Sequence, residues 1–398
     1  MSLSGTQLAL LDRGVAEIID RRSIEGKLGR RKPLRIKFGI DPTGYQLHLG
    51  HVVPLRKLRA FQEAGHQAVL IIGDYTAQVG DPSGRDKTRN ALSAEQTKKF
   101  ASTYLEQAGR VIDLKCAEVH FNSEWFEKFT AADFLKLMMS VSANQLLSHE
   151  TFRRRIDKGL PLGLHELSYP LLQGYDSFAI EADIELGGID QKFSLLTGRD
   201  VQAAYGQDKQ DIMLFDYLVG TDGKEKMSKT ANNLIAIEDQ PNDMYGKVMS
   251  IPDKAIPLYF LLATDMSANE IEGVKKDLKK KTTNPRDIKA RLAKMIVEQY
   301  HDAAAGTAAE FEFTHIHRKK GQPTDMPKIE VRAGEHSILN LLVNFQLASS
   351  RTEARRLVEQ GGVKIDQKVI KDWEQPIVAV DGAVLQVGKR KFVTLVVR

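Results

Sequence analysis

Residues 34–51 read LRIKFGIDPTGYQLHLGH. The run Leu34 to Ile40 is short and apolar, and Asp41, Pro42, Thr43 and Gly44 follow it with turn chemistry. The pattern predicts a strand that ends in a tight loop. Beyond the loop, LRKLRAFQEAG has the spacing of an amphipathic helix. The same alternation recurs downstream. AVLIIG (68–73), AIEADIEL (179–186) and IMLFDYLVG (212–220) read as strands, and FSLLTGRDVQAAYG reads as a helix. Strands alternating with helices predict an α/β fold with a doubly wound, mostly parallel sheet. A polar, glycine-bearing cluster follows each of four strands: DPTGYQLHLGH, DYTAQVGDPSGRDKTR, GGIDQ and TDGKEKMSKT. In open α/β sheets the carboxyl edge is where ligands bind, so four clusters there predict one shared site.

LHLGH (47–51) poses the chemical question. His48 and His51 stand three apart, with Gly50 directly before the second. A metal site, an acid/base pair, a phosphate site and two surface histidines all fit that spacing. A metal needs a third ligand, and no nearby His, Cys or carboxylate completes a usual pattern. A helix N-terminus attracts anions, and imidazole N–H groups there donate to phosphate oxygens. Gly50 permits close approach of a flat ring or a backbone. KEKMSKT carries Lys224, Lys226 and Lys229 on a glycine-flanked loop. Such a loop can close over a phosphate chain and neutralise departing pyrophosphate; an ordinary basic loop has the same composition. GGIDQ offers Gly187 and Gly188 without side chains, then Asp190 to accept from ribose hydroxyls. In SYPLLQGYDS, Tyr169, Gln173 and Asp176 fall at i, i+4 and i+7 on one helical face. That stripe suits a polar ligand head, or a polar helix surface. Asp81, in GDPS, can accept from an ammonium.

The 398 residues are 42% hydrophobic, enough for two or three domains. No stretch approaches eighteen uncharged apolar residues, so no transmembrane helix is expected. The first residues lack the basic head and cleavage site of a secretory signal. Cys116 is the only cysteine, which excludes an intrachain disulfide and a thiolate cluster. The expectation is a cytoplasmic protein. Net charge is +5, and residues 337–398 hold ten Lys/Arg against six acids, +4 of that total. A basic terminal module suggests a nucleic-acid partner; a solvated basic face is the plainer alternative. Residues 1–235 read as the α/β domain, with a helical insertion at about 91–178. The apolar FLKLMMSV face of that insertion is core or a dimer contact. Residues 236–320 read as a helical domain, 321–336 as a linker, and 337–398 as a helix–turn–strand module.

HLGH resembles the HIGH motif of class I aminoacyl-tRNA synthetases, and KMSKT resembles their KMSKS motif, in the same order. GDPSGRDKTR, YPLLQGYDS and GGIDQ together resemble the tyrosyl-tRNA synthetase branch. SSRTEARRLVEQGGVKID is similar to the S4 RNA-binding module of bacterial enzymes of this kind. The resemblance runs from about Pro33 to the end. It implies a Rossmann-like catalytic domain, a helical anticodon-side domain and a small α+β S4-like domain. It implies that tyrosine and ATP form tyrosyl-adenylate, and that tRNA(Tyr) then takes the tyrosyl group.

Residue by residue, the resemblance implies these roles. His48 and His51 bind phosphates in the transition state, and Lys226 and Lys229 close on pyrophosphate. Thr43 contacts ATP, Gly50 and Gly188 leave room for the nucleoside, and Asp190 holds its ribose. Tyr169, Gln173 and Asp81 surround the substrate ammonium, with Thr76 nearby. Asp41 and Gln191 face the reacting carboxylate and amine. Asp176 accepts the phenol hydroxyl, and it disfavours phenylalanine because a buried carboxylate would lose its donor. Mg²⁺ comes with ATP; no organic cofactor, no membrane and no editing domain are implied, and a homodimer is. Charge and motif position nominate Arg351, Arg355, Arg356 and Lys364 as RNA contacts.

Two positions depart from the pattern. Lys37 stands where many members carry a tyrosine for the substrate hydroxyl, and it either pairs with Asp176 or points away. Pro54 lies inside the helix after His51 and bears on where that helix starts. The rival readings are a tryptophanyl-tRNA synthetase, an RNA-binding regulator with a decayed body, and a small-molecule adenylyltransferase. Asp176 and the S4-like tail argue against the first, and the intact histidines and lysines against the second. The third leaves the basic tail without a role.

Overall fold

The computed structural model describes residues 3–30, 32–83, 92–280, 283–318, 326–388 and 391–398. The chain divides into two compact units, residues 1–307 and 308–398. In the first, six strands form one sheet: β1 (Glu17–Ile19), β2 (Arg35–Ile40), β3 (Gln67–Ile72), β4 (Glu118–Phe121), β5 (Ile184–Gly188) and β6 (Asp211–Phe215). Their order is β1-β6-β5-β2-β3-β4. Only β1 runs antiparallel; the other four pairings are parallel. The apolar runs of β3 and β6 are buried on both faces, as helix-covered parallel strands are, and β2 buries Ile36, Lys37 and Phe38 between them. The chain builds outward from β2 to β4, then returns to place β5 on the other side of β2. The order reverses there, so the carboxyl ends of β2 and β5 flank the crevice.

The helices of this unit are α1 (Gly5–Asp12), α2 (Arg21–Leu28), α3 (Leu49–Glu63), α4 (Thr76–Val79), α5 (Ala94–Ala108), α6 (Ser123–Phe126), α7 (Ala131–Met138), α8 (Ala143–Leu147), α9 (Glu150–Asp157), α10 (Leu164–Ala179) and α11 (Lys192–Ala204). After them come α12 (Pro241–Ser250), α13 (Ile256–Ala263), α14 (Ala268–Lys279), α15 (Pro285–Tyr300) and α16 (Ala303–Arg318), where the division into units falls.

Several expectations shift. The segment AIEADIEL is not one strand: α10 runs to Ala179, Glu181 turns at φ +51, and β5 begins at Ile184. The last strand stops at Phe215, short of Gly220. Residues 91–178 are not wholly a helical insertion, because they supply the edge strand β4. Four residues, EVHF, are too short to show as an alternating run. The pattern across 131–147 is two helices, because Ser142 accepts from the Gln145 N–H and caps a new one. The period across 284–313 breaks at His301 (φ −122°, ψ −104°). Asp302 restarts it by accepting from the Ala305 N–H at 2.7 Å.

The second unit holds α17 (Ile338–Asn344) and α18 (Arg351–Glu359). Its strands are β7 (Lys328–Val331), β8 (Glu335–His336), β9 (Val363–Ile365), β10 (Lys368–Val369), β11 (Ile377–Val378), β12 (Val384–Val387) and β13 (Lys391–Val397). Five form a sheet in the order β10-β9-β12-β13-β7, and β11 pairs with β8. Ile338, Leu342, Ala354, Val358, Val363 and Leu385 fill its core. The segment read as a linker therefore contributes β7, parallel to β13. Residues 321–325 of that segment lie outside the described residues.

One buried ion pair sets α10, which carries the Tyr–Gln–Asp stripe. Arg155 of α9 meets both carboxylate oxygens of Glu166, at 2.6 and 3.0 Å, with both side chains buried. Glu166 also accepts the Gly163 N–H at 2.9 Å, which satisfies an otherwise orphan donor at the helix start. Removing one partner of such a pair leaves a buried charge uncompensated. Arg155→Met is expected to lower unfolding stability in urea by about 3–5 kcal/mol. A loss below about 1 kcal/mol, the size of an exposed pair, would contradict this account.

Candidate active site

α3 starts early. His48 is its N-cap, with extended backbone (φ −122°, ψ 166°), and Leu49 is its first residue. Pro54 sits buried inside the helix and does not delay it. Backbone pairing fixes the start: the Leu49 N–H donates to the Ile235 carbonyl at 3.0 Å, and the Ile237 N–H to Leu47 at 3.1 Å. His48 and Ala236 form an antiparallel bridge between them. The turn before the helix is clamped from α5. The Gln107 amide donates to the Tyr45 carbonyl at 2.7 Å and accepts the Leu47 N–H at 2.6 Å.

His48 and His51 stack face to face, 3.7 Å between centroids and 23° between planes. The His48 N–H donates to His51 Nδ1 at 3.4 Å. Burial first, then the fields of Lys229 and Lys226, push His48 down to a pKa of about 3. The ring is neutral at working pH, a hydrogen-bonding group and not a cation. A Cβ at Gly50 would lie 3.0 Å from His48 Nδ1. The glycine thus makes room for the imidazole itself.

The lysine loop closes on itself at its base. Met227, buried, donates its N–H to Leu218 at 2.8 Å, and Gly220 to Glu225 at 2.8 Å. Asn233 is the hub: its Oδ1 accepts the Ser228 N–H at 2.8 Å, and its Nδ2 donates to Asp222 at 2.8 Å. From this base the two motif lysines reach to neighbouring strand ends. Lys226 Nζ pairs with Asp190 Oδ2 at 2.6 Å, past the end of β5. Lys229 Nζ donates to the Tyr104 hydroxyl, lies 4.8 Å from its ring centroid, and approaches Gly44 in the turn after β2. The buried Asp190 Oδ1 has no partner among the described residues. A Cβ at Gly188 would crowd that oxygen at 2.5 Å. Gln191 accepts the Gly188 N–H at 3.1 Å and so braces its own turn. Thr43 is half-buried in the turn between Asp41 and Gly44.

Beside the crevice runs a polar lane. Asp41 accepts from the Thr76 hydroxyl at 2.8 Å and from the Tyr169 hydroxyl at 3.0 Å. Asn122 Nδ2 donates to Thr76 Oγ1 at 2.9 Å and to Asp176 Oδ2 at 3.3 Å. The Trp125 indole donates to Asp176 Oδ1 at 3.0 Å. Burial raises the Asp176 pKa to about 7; Lys37, Asn122 and Trp125 pull against it. Lys37, fully buried, neither bonds Asp176 nor points away to solvent. Its Nζ pairs with Glu185 Oε1 at 2.8 Å and donates to the Gln173 carbonyl at 2.9 Å and to Ser177 Oγ at 2.7 Å. Asp81 holds its own turn through the Ser83 N–H at 2.8 Å, and residues 84–89 of its motif lie outside the described residues.

In the second unit Arg351, Arg355 and Arg356 are exposed on α18, opposite buried Ala354 and Val358. Arg355 is engaged, at 2.7 Å from Glu359 and 4.5 Å over the Trp373 ring. Lys364 is half-buried on β9.

The residues that sequence reading missed are Tyr104, Gln107, Asn122, Trp125, Glu185 and Asn233. Asn122 and Trp125 follow β4, so recognising that strand would have exposed a fifth cluster at a carboxyl end. The others bear no motif spacing.

A switch-point crevice framed by a histidine pair and a lysine loop defines a class I tRNA synthetase. The model for class I tRNA synthetases (W and Y) matches residues 29–317, and the chain belongs to that family. A Tyrosine--tRNA ligase SYY-like C-terminal domain matches residues 319–395. The Tyrosine--tRNA ligase of Thermotoga maritima is 45% identical, covering 97% of this chain and 96% of its own. That of Moorella thermoacetica is 43% identical, covering 98% and 95%. Two solved structures share the fold. A truncated mitochondrial tyrosyl-tRNA synthetase from Aspergillus nidulans has a TM-score of 0.66 at 20% identity, covering 80% of this chain and 94% of that one. A tyrosyl-tRNA synthetase from Archaeoglobus fulgidus, complexed with L-tyrosine, has a TM-score of 0.62 at 21% identity, covering 75% and 98%.

Asp176 yields a pH prediction. Its folded pKa of about 7 lies above the ordinary carboxylate value of 3.8. Between those values the folded protein holds a proton that the unfolded chain releases, so the group's contribution to stability falls as pH rises through that window. It is level above about pH 7. Relative to Asp176→Asn, the unliganded protein is expected to lose a few kcal/mol of unfolding free energy between about pH 4 and pH 7. Urea titrations at several pH values measure it, and a constant difference would contradict the assignment.

Proposed function

We propose that the chain is a tyrosine–tRNA ligase, activating tyrosine with ATP and transferring it to the 3′ end of tRNA(Tyr). One observation carries the site reading: the lane from Asp41 through Thr76 and Asn122 ends at Asp176, a buried carboxylate beside an indole. That floor fits a phenol hydroxyl as donor. The family match supports the chemistry above it.

In this reading the tyrosine carboxylate attacks the α-phosphorus, and the bond to the bridging oxygen of pyrophosphate breaks. A ribose hydroxyl of the tRNA terminus then attacks the acyl carbon, and AMP leaves. No covalent enzyme intermediate is needed; catalysis is placement plus charge stabilisation. Neutral His48 and its partner His51 donate to phosphate oxygens. The nucleotide ribose takes Asp190, whose Oδ1 has no partner among the described residues, and Lys226 then leaves Oδ2 for the phosphates. Lys229 leaves Tyr104 in the same closure. Asp41 and Tyr169 face the substrate amine. Among the described residues no group of three His, Cys, Asp or Glu side chains could hold a metal ion. Mg²⁺ enters with ATP, held by its phosphates. Arg351 and Arg356 on the exposed face of α18 meet the tRNA backbone. The exposed Leu135 and Met138 of α7, with Met139 at its C-cap, support a homodimer contact. No helix among the described residues is long and apolar enough to cross a membrane. The enzyme acts in the cytoplasm with its tRNA.

Exchange of labelled pyrophosphate into ATP tests this. Tyrosine is expected to support exchange, and His51→Ala to reduce it by about 100-fold. Exchange with tryptophan alone, or an unimpaired variant, would contradict the proposal.

A further inference from the structure

Glu185 is a buried carboxylate that the adenylation chemistry does not use. It stands on β5 with its side chain about 1% exposed. Four donors converge on it. Lys37 Nζ lies 2.8 Å and Gln173 Nε2 3.1 Å from Oε1. The Ser177 hydroxyl lies 3.2 Å from Oε2, and Gln210 Nε2 donates to the same oxygen. Ser177 already accepts from Lys37, so its own proton goes to Glu185.

An ionised carboxylate only accepts. Gln173 must then turn its NH₂ group to Glu185, because its carbonyl would set lone pair against lone pair. Its Oε1 consequently faces away. That oxygen is buried and has no partner among the described residues. A buried acceptor without a donor is costly, so the oxygen is poised for one. Tyr169, one turn earlier on the same face of α10, points its hydroxyl to Asp41. The open acceptor thus belongs to the amine end of the polar lane. Lys37 Nζ, at 2.8 Å, is the cationic partner of this carboxylate, and the pair is buried together.

We propose that Glu185, paired with Lys37, is a positioning residue: it fixes the amide orientation of Gln173, so that the amine subsite presents an acceptor and selects an ammonium-bearing ligand. This rests on reading the lane as the amino-acid pocket. Lys37 then does not replace a missing phenol contact. It sets recognition at the opposite end of the substrate.

Tyramine and 4-ethylphenol differ only in the ammonium, and each is tested as a competitor of tyrosine in ATP–pyrophosphate exchange. The variants are Glu185→Gln and the double variant Lys37→Met with Glu185→Leu, which removes both charges and leaves none orphaned. The preference for tyramine over 4-ethylphenol is expected to fall by about tenfold or more in each, because the lost contact is a charged hydrogen bond. Inhibition by 4-ethylphenol itself should change much less than inhibition by tyramine, since neither variant removes Asp176, Asn122 or Trp125. If both inhibitors weaken together, Glu185 is a structural residue and the proposal falls. An unchanged preference also overturns it. Should Glu185→Gln not fold, the double variant decides. If the wild type shows no tyrosine-dependent exchange, the tyrosine reading fails instead.

Discussion

Two backbone hydrogen bonds, Leu49 to Ile235 and Ile237 to Leu47, tie the histidine turn to the chain just after the lysine loop. Each contributes only about 1 kcal/mol net. Their geometric effect is larger. They set the first residue of α3, and with it the direction of both imidazoles. They also anchor the downstream end of the loop that carries Lys226 and Lys229, while Asn233 anchors its interior. A strand end and a loop 180 residues apart in sequence are thereby held as one frame, and Gln107 braces it from α5.

Charge within that frame is arranged for an anion that arrives later. His48 is kept neutral by burial and by two nearby ammonium groups, so it adds donors without adding repulsion. The lysines are not idle: one sits on Asp190 and the other on Tyr104. Under the proposed function, each resting partner is weaker for a cation than a triphosphate is, which favours movement of the lysines toward bound nucleotide. At the other end, Asp176 is buried with two donors already in place, and Glu185 balances Lys37 nearby. The site thus separates a cationic, movable mouth from a rigid, hydrogen-bonded floor.

Much of this was legible in the sequence, and the reasons are physical. Buried parallel strands need long apolar runs, so β2, β3 and β6 stood out, and their carboxyl ends located the crevice before any geometry was known. His48, Lys226, Asp190, Tyr169 and Asp176 follow from motifs whose spacing matches a strand end or a helical face. What stayed hidden depends on tertiary contact. The strand β4 is too short to show a period, and Asn122 and Trp125 were lost with it. Charge and proline around Lys328–Val331 masked β7. Lys37 looked like a departure in the phenol pocket; its partner Glu185, 148 positions away, has no local signature. Gly50 was read as space beneath a nucleoside, whereas a side chain there would first meet His48.

In the proposed reaction the histidine pair and the lysine loop act on one phosphate chain. A double-mutant cycle of His51→Ala and Lys229→Ala, read as kcat/KM for ATP in tyrosine-dependent exchange, tests that directly. Groups that share one ligand are not independent, so the combined loss should fall short of the product of the single losses, a coupling of about 1 kcal/mol or more. Losses that multiply cleanly would mean that the two motifs act apart, and would contradict the single site described.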